Sequence, residues 1–209
     1  MGRAPTGPAM PQSPTLQTRN SNGLDQFFSS IRERTGLSVL DLAGASQANI
    51  TFITQLGHRL YSDDILRTLS ASFGTDGDFL IRQAEPQRAE YFLKQSLEFP
   101  DDTFDGALVW DTLQYLAPPL LQLTVDRLSR VLRPGAYLLA FFSADEKAKV
   151  VPVHSYRIGD CKTLQLVPRG ETRPAQFFNN RAIERLFQNF QSVKFFLTRD
   201  SQREVIVRR

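Results

Sequence analysis

The chain has little of what would hold a small or exported protein together, with a single cysteine, Cys161, two histidines and one tryptophan among 209 residues. One thiol excludes an internal disulfide, and with no second cysteine or nearby histidine at ligand spacing it excludes a zinc cluster around Cys161. No apolar run approaches the 18 residues of a membrane span, and the amino terminus has no apolar segment of the secretory kind. The expectation is a soluble, cytoplasmic protein with no metal site. Neither Gly-x-Ser-x-Gly nor Gly-x-x-x-x-Gly-Lys occurs, so a hydrolase elbow and a nucleotide-binding P-loop are not indicated. What is present is ordinary globular composition, 41% hydrophobic and 22% charged, in a chain long enough to bury a core unaided. The net charge of +3 gathers toward the carboxyl end, where residues 181–209 carry seven basic and three acidic side chains. Such a patch reads as a solvated face rather than a nucleic-acid surface.

Residues 1–22 hold Pro5, Pro8, Pro11 and Pro14 among polar residues, with almost nothing apolar to offset the entropy of ordering, and read as a disordered leader. Beyond it, Phe27, Phe28 and Ile31 fall at helical spacing. Ser38–Leu42 and Arg59–Ser62 read as strands separated by a helix, and a second helix starts at Asp64. Tyr91–Leu93 is a candidate third strand. Phe104–Trp110 reads as a buried strand, and Leu121, Val125, Leu128 and Leu132 mark one helix face ending before Pro134-Gly135. Ala136–Phe142 is the next strand. Residues 143–178 lack a clear period and read as loops with one irregular hairpin. A helix capped by Asn180 and an antiparallel pair, Ser192–Thr198 with Arg203–Val207, complete the chain. The alternation implies βαβ units and a parallel sheet.

In such a sheet ligands bind beyond the carboxyl ends of the strands. Three places qualify. The first is the small-residue turn Asp41-Leu42-Ala43-Gly44-Ala45-Ser46-Gln47. The second is the acidic pair Asp63 and Asp64, and the third is Trp110–Tyr115.

At these residues the chain resembles the class I S-adenosylmethionine-dependent methyltransferases, of the type 11-like group that modifies small molecules. The resemblance is carried by Leu97-Glu98-Phe99-Pro100-Asp101-Asp102-Thr103-Phe104-Asp105, similar to a family segment Leu-Pro-Phe-Pro-Asp-x-Ser-Phe-Asp. It continues through Trp110-Asp111-Thr112-Leu113-Gln114-Tyr115-Leu116 and Val131-Leu132-Arg133-Pro134-Gly135. It implies a Rossmann-like, doubly wound α/β domain over residues 23–209. The sheet would be mostly parallel and seven-stranded, with a C-terminal antiparallel strand. It also implies S-adenosylmethionine as cofactor and a small-molecule methyl acceptor. Asp41 with Ala43, Gly44 and Ala45 would lie near the methionine part. Asp64, or Asp63, would bind the ribose hydroxyls through charge-assisted bonds, and Glu98 and Phe99 would lie near adenine. Trp110 and Asp111 would face the sulfonium, where an aromatic face offers a cation-π contact. Tyr115, His154 and Tyr156 are candidates for the acceptor side.

The chain departs from the family pattern in its turn. The glycines of Asp-x-Gly-x-Gly-x-Gly fall on Ala43, Ala45 and Gln47, with Gly44 at a variable position. The acid that often precedes the Leu-Pro-Phe segment is replaced by Leu93-Lys94-Gln95-Ser96. These departures set a second expectation beside methyl transfer, a noncatalytic module that keeps the fold for ligand sensing or partner binding. A nicotinamide-dependent oxidoreductase is disfavoured, because no Gly-x-Gly-x-x-Gly follows the first strand.

Overall fold

A computed structural model describes residues 16–209 except residues 146 and 199. Of the expected leader, residues 1–15 lie outside the described residues. The remainder is not a leader, since Gln17–Asn20 forms strand β1. Ser21 then caps helix α1 (Asn22–Ile31), its side chain accepting from the Leu24 N–H at 3.0 Å. Leu24, Phe27, Phe28 and Ile31 repeat at helical spacing and are buried together. The chain continues through β2 (Ser38–Asp41), α2 (Gln47–Gln55), β3 (Arg59–Ser62) and α3 (Ile65–Phe73). A short α4 (Phe79–Arg82), α5 (Pro86–Ser96), β4 (Phe104–Trp110) and a 3-10 turn (Thr112–Tyr115) follow. Then come α6 (Pro118–Val131), β5 (Leu132–Ser143), β6 (Val151–Ile158), β7 (Thr163–Thr172), α7 (Asn180–Leu186), β8 (Ser192–Leu197) and β9 (Gln202–Arg208).

Six strands form the main sheet in the order β3-β2-β4-β5-β9-β8. The first four are parallel, and β9 runs antiparallel to both β5 and β8. The expected seventh strand is absent among the described residues. Tyr91–Leu93 lies inside α5, where Pro86 suits the first turn and Ala89, Phe92 and Ser96 are buried at helical spacing. Phe92 meets Phe73 of α3 with ring centroids 5.7 Å apart. Edge strand β3 therefore has β2 as its one sheet neighbour. The expected cap of the last helix shifts by one residue: Asn179, not Asn180, accepts from the Ala182 N–H.

Residues 143–178 are more ordered than their lack of period suggests. Strands β6 and β7 form a hairpin with a register shift at Val153/His154, and β1 adds to β7 antiparallel, giving a separate three-stranded sheet β1-β7-β6. The main sheet is covered on both faces. One side packs against α3, α5, α6 and α7. The other holds Phe27 and Phe28 of α1, Ile53 of α2, and Tyr156, Ile158, Leu164 and Leu166 of the small sheet. On this second face α1 comes so near the sheet that a Cβ on Gly106 would sit 2.8 Å from Phe27 Cζ, so glycine sets the helix-to-sheet distance. No helix among the described residues is long and apolar enough to cross a membrane.

Candidate functional site

The strand order reverses between β2 and β4, since the chain leaves β2 toward β3 on one side and later returns to β4 on the other. The carboxyl ends of these two strands, Asp41 and Trp110, therefore flank the switch point, where an open α/β sheet offers a crevice for ligands. The sequence candidates Asp41, Ala43, Gly44, Ala45, Asp63, Asp64, Trp110 and Asp111 all belong to this edge.

The turn after β2 is laced to the turn after β3. The Gly44 N–H donates to the Asp63 carbonyl at 2.9 Å, Asp63 N–H to the Asp41 carbonyl at 2.9 Å, and Ala43 bridges Asp64. Gly44 has φ +88°, and a Cβ there would lie 3.2 Å from the Asp64 carboxylate. This is where the chain needs its glycine, one position from the family's place for it. Asp64 is partly exposed. It caps α3 by accepting from the Arg67 N–H at 3.0 Å and pairs with Arg169 of β7 at 3.6 Å. Asp63 beside it is half-buried, and burial pushes its carboxyl upward.

Asp41 is fully buried, and its carboxylate is already occupied. It accepts from Trp110 Nε1 at 2.6 Å, Asn49 Nδ2 at 2.8 Å and the Ala43 N–H at 3.1 Å. Burial raises its pKa, and these three bonds oppose the rise. Trp110 does not face an entrance. With φ +57°, it lies with its indole stacked on Tyr156 of β6, centroids 4.8 Å apart and planes 2° from parallel, while Phe141 meets both rings edge-on. Both stacked side chains are buried.

Beyond Trp110, Asp111 is 2% exposed and accepts from the Tyr115 hydroxyl at 3.0 Å, which itself accepts from Gln114 Nε2. Burial pushes the Asp111 carboxyl up to about 6, and drives the Tyr115 and Tyr156 hydroxyls well above the ordinary tyrosine range.

The other candidates are not brought together here. Phe99 packs on Phe104, centroids 4.9 Å apart, at the amino end of β4 and so at the opposite end of that strand from Trp110. The backbone of Glu98 and Phe99 is fixed there by Arg127 of α6, which donates to the Leu97 carbonyl at 3.0 Å and to the Phe99 carbonyl. His154 lines a different groove, with Gln17, Pro168, Asp200 and Gln202, and burial lowers its pKa. Among the described residues no group of three or more His, Cys, Asp or Glu is placed to hold a metal ion.

Sequence reasoning missed Asn49. Its amide donates to the Tyr156 carbonyl at 3.0 Å as well as to Asp41, and its Oδ1 accepts from the Ile158 N–H at 2.8 Å. The sequence carried one weak signal, an asparagine in the first turn of α2, and its burial came only from the structure. It also missed Arg169, which comes from the segment without a period.

Topology decides the fold, since the order of the four parallel strands reverses between β2 and β4 and the single antiparallel strand, β9, lies between β5 and β8. The chain has the class I methyltransferase fold. No family model matches the sequence, and no curated protein matches it. Among solved structures, the PH0226 protein from Pyrococcus horikoshii OT3 is 15% identical with a TM-score of 0.53, covering 89% of this chain and 87% of that one. The 1,6-didemethyltoxoflavin-N1-methyltransferase of Burkholderia thailandensis, crystallised with S-adenosylhomocysteine, is 13% identical with a TM-score of 0.48 over 90% and 76%. A SAM-dependent methyltransferase from Aquifex aeolicus is 15% identical with a TM-score of 0.49 over 90% and 89%.

The edge fits S-adenosylmethionine at one end only. Asp64, packed into the space that Gly44 leaves, presents a partly exposed carboxylate, a group that suits the hydroxyls of a ribose. The crevice between Asp41 and Trp110 is filled by the indole and the Tyr156 ring. The open space that remains at this loop, about 340 Å³, lies along Ala43–Ala48 with Ser155–Arg157 as its far wall.

Proposed function

We propose that the protein is an S-adenosylmethionine-dependent methyltransferase acting on a small-molecule acceptor, with its cofactor site at the edge formed by Asp41, Ala43–Ala45, Asp63 and Asp64. The observation that carries this reading is the placement of Asp64 against Gly44 at the switch-point edge of a class I sheet. A partly exposed carboxylate there can accept from paired hydroxyls, and the glycine leaves room for that carboxylate to lie against the turn. The cofactor, when bound, supplies a methyl group already activated by positive sulfur. The chain's own contribution is to orient the ribose through Asp64, with Arg169 setting the carboxylate's position, and to keep water from the buried surface around Trp110.

A second reading, a noncatalytic module on the same fold, is favoured by one specific observation, the three internal bonds that occupy Asp41. Titration calorimetry with S-adenosylmethionine and S-adenosylhomocysteine tests the pair. Saturable binding weakened about tenfold or more by Asp64→Ala, the scale of a lost charged hydrogen bond, supports the cofactor site. Methylation of any acceptor in a metabolite extract then selects the enzyme. No heat at millimolar nucleoside, in the wild type and in the variants opened at Tyr156 below, rejects both the site and the enzyme.

A further inference from the structure

The crevice at the strand-order reversal is occupied by this chain itself. Tyr156 is 1% exposed, and its ring lies face to face on Trp110, 4.8 Å between centroids, while the Trp110 indole is bonded to Asp41. The hairpin that delivers Tyr156 is attached in an unusual way. Its sheet, β1-β7-β6, is separate from the six-stranded sheet, so no backbone ladder joins the two among the described residues. It is clamped instead by a few side chains. Asn49 bonds the β6 backbone on both sides of Arg157, at the Tyr156 carbonyl and the Ile158 N–H. Arg19 of β1 reaches Glu204 of β9 at 2.9 Å. A segment held by side-chain clamps and one apolar face can leave without unravelling the sheet beneath it.

We propose that Tyr156 is an intramolecular plug, its ring filling the switch-point crevice that a ligand's far end would enter, so that the site opens when the β6–β7 hairpin withdraws. The proposal rests on the reading of this edge as the cofactor site. It deepens that reading by naming what holds the site shut. The volume released is that of a phenol ring lying flat on an indole, so the occupant it excludes is of similar girth and apolar on one face.

The test removes the ring. Tyr156→Ala vacates the crevice, Tyr156→Leu vacates part of it with less disturbance to folding, and Tyr156→Phe keeps the ring as a control. Binding of S-adenosylhomocysteine is measured by calorimetry. Stabilisation by added phenol is measured by thermal melting, since an apolar cavity left by a truncated side chain accepts a small ring of matching size. The expected result is nucleoside binding at least about tenfold tighter in Tyr156→Ala, or in Tyr156→Leu if the alanine variant does not fold, than in wild type and Tyr156→Phe, the scale of a removed internal competitor. Wild-type binding as tight as that of the opened variants overturns the plug and leaves the cofactor site standing. If no variant binds nucleoside but phenol raises the melting temperature of the opened variants alone, the plug stands and the cofactor reading fails. If neither ligand distinguishes the opened variants from wild type, the plug is overturned.

Discussion

Single carboxylates set the electrostatics of this edge, and Asp111 shows how. Its pKa is raised from an ordinary 3.8 to about 6 because burial disfavours the charged form more than the Tyr115 hydroxyl favours it. Between these values the folded protein holds a proton that the unfolded chain has released, so stability falls as pH rises through the window. The shift corresponds to roughly 3 kcal/mol lost by pH 7. Asp111→Asn keeps an acceptor for Tyr115 without a charge. In urea titrations its stability relative to wild type is expected to rise between pH 4 and 7 by up to about 3 kcal/mol. Parallel pH profiles for the two proteins would show that burial does not govern this group. His58 and His154, both pushed down by burial, impose an opposite slope on acidification, but it is common to both proteins and cancels in the comparison.

At the scale of elements, the two sheets are linked by an ion pair whose carboxylate is fully buried. Glu204 of β9 has no exposed surface, and it accepts from Arg19 of β1 at 2.9 Å and from the Gly23 N–H at 2.7 Å. Removing Arg19 leaves a charge buried without its partner. Arg19→Met is therefore expected to lower unfolding free energy by about 3–5 kcal/mol, and Arg19→Met/Glu204→Gln to recover most of it by removing the orphaned charge. Chemical denaturation of the three proteins measures this; a loss below about 1 kcal/mol in Arg19→Met would mean that the pair does not hold β1 in place. This link was invisible in the sequence, because Arg19 sits in a proline-rich, polar stretch with no period and its partner lies far along the chain. By contrast β2, β4 and α6 were legible, because a run buried on both faces and a stripe at helical spacing are written into neighbouring residues. Tyr91–Leu93 misled for the same reason: three apolar residues fit a strand or a helix, and only the packing of Phe92 on Phe73 selects helix.

Over the whole molecule the two sheets differ in how they are held. The main sheet is ladder-bonded through its centre and covered on both faces, whereas the small sheet depends on the Asn49 clamp, Arg19 and one apolar face. Native-state hydrogen exchange is accordingly expected to show the amides of β6 and β7 exchanging through an opening of lower free energy than those of β4, which exchange by global unfolding. Equal protection in the two sheets would mean that the hairpin does not open on its own. The sequence by itself determined the α/β class, the parallel strands β2 to β5 and the acids at their edge, because strand and helix periods are local and Asp41 and Asp64 follow directly from where the strands end; the strand count and the separate β1-β7-β6 sheet depend on pairing between distant segments and were not legible. The tertiary structure alone decided that the crevice between Asp41 and Trp110 is closed. Its closing ring comes from Tyr156, in a segment without period, and stacking across two sheets leaves no mark on the residues around either partner.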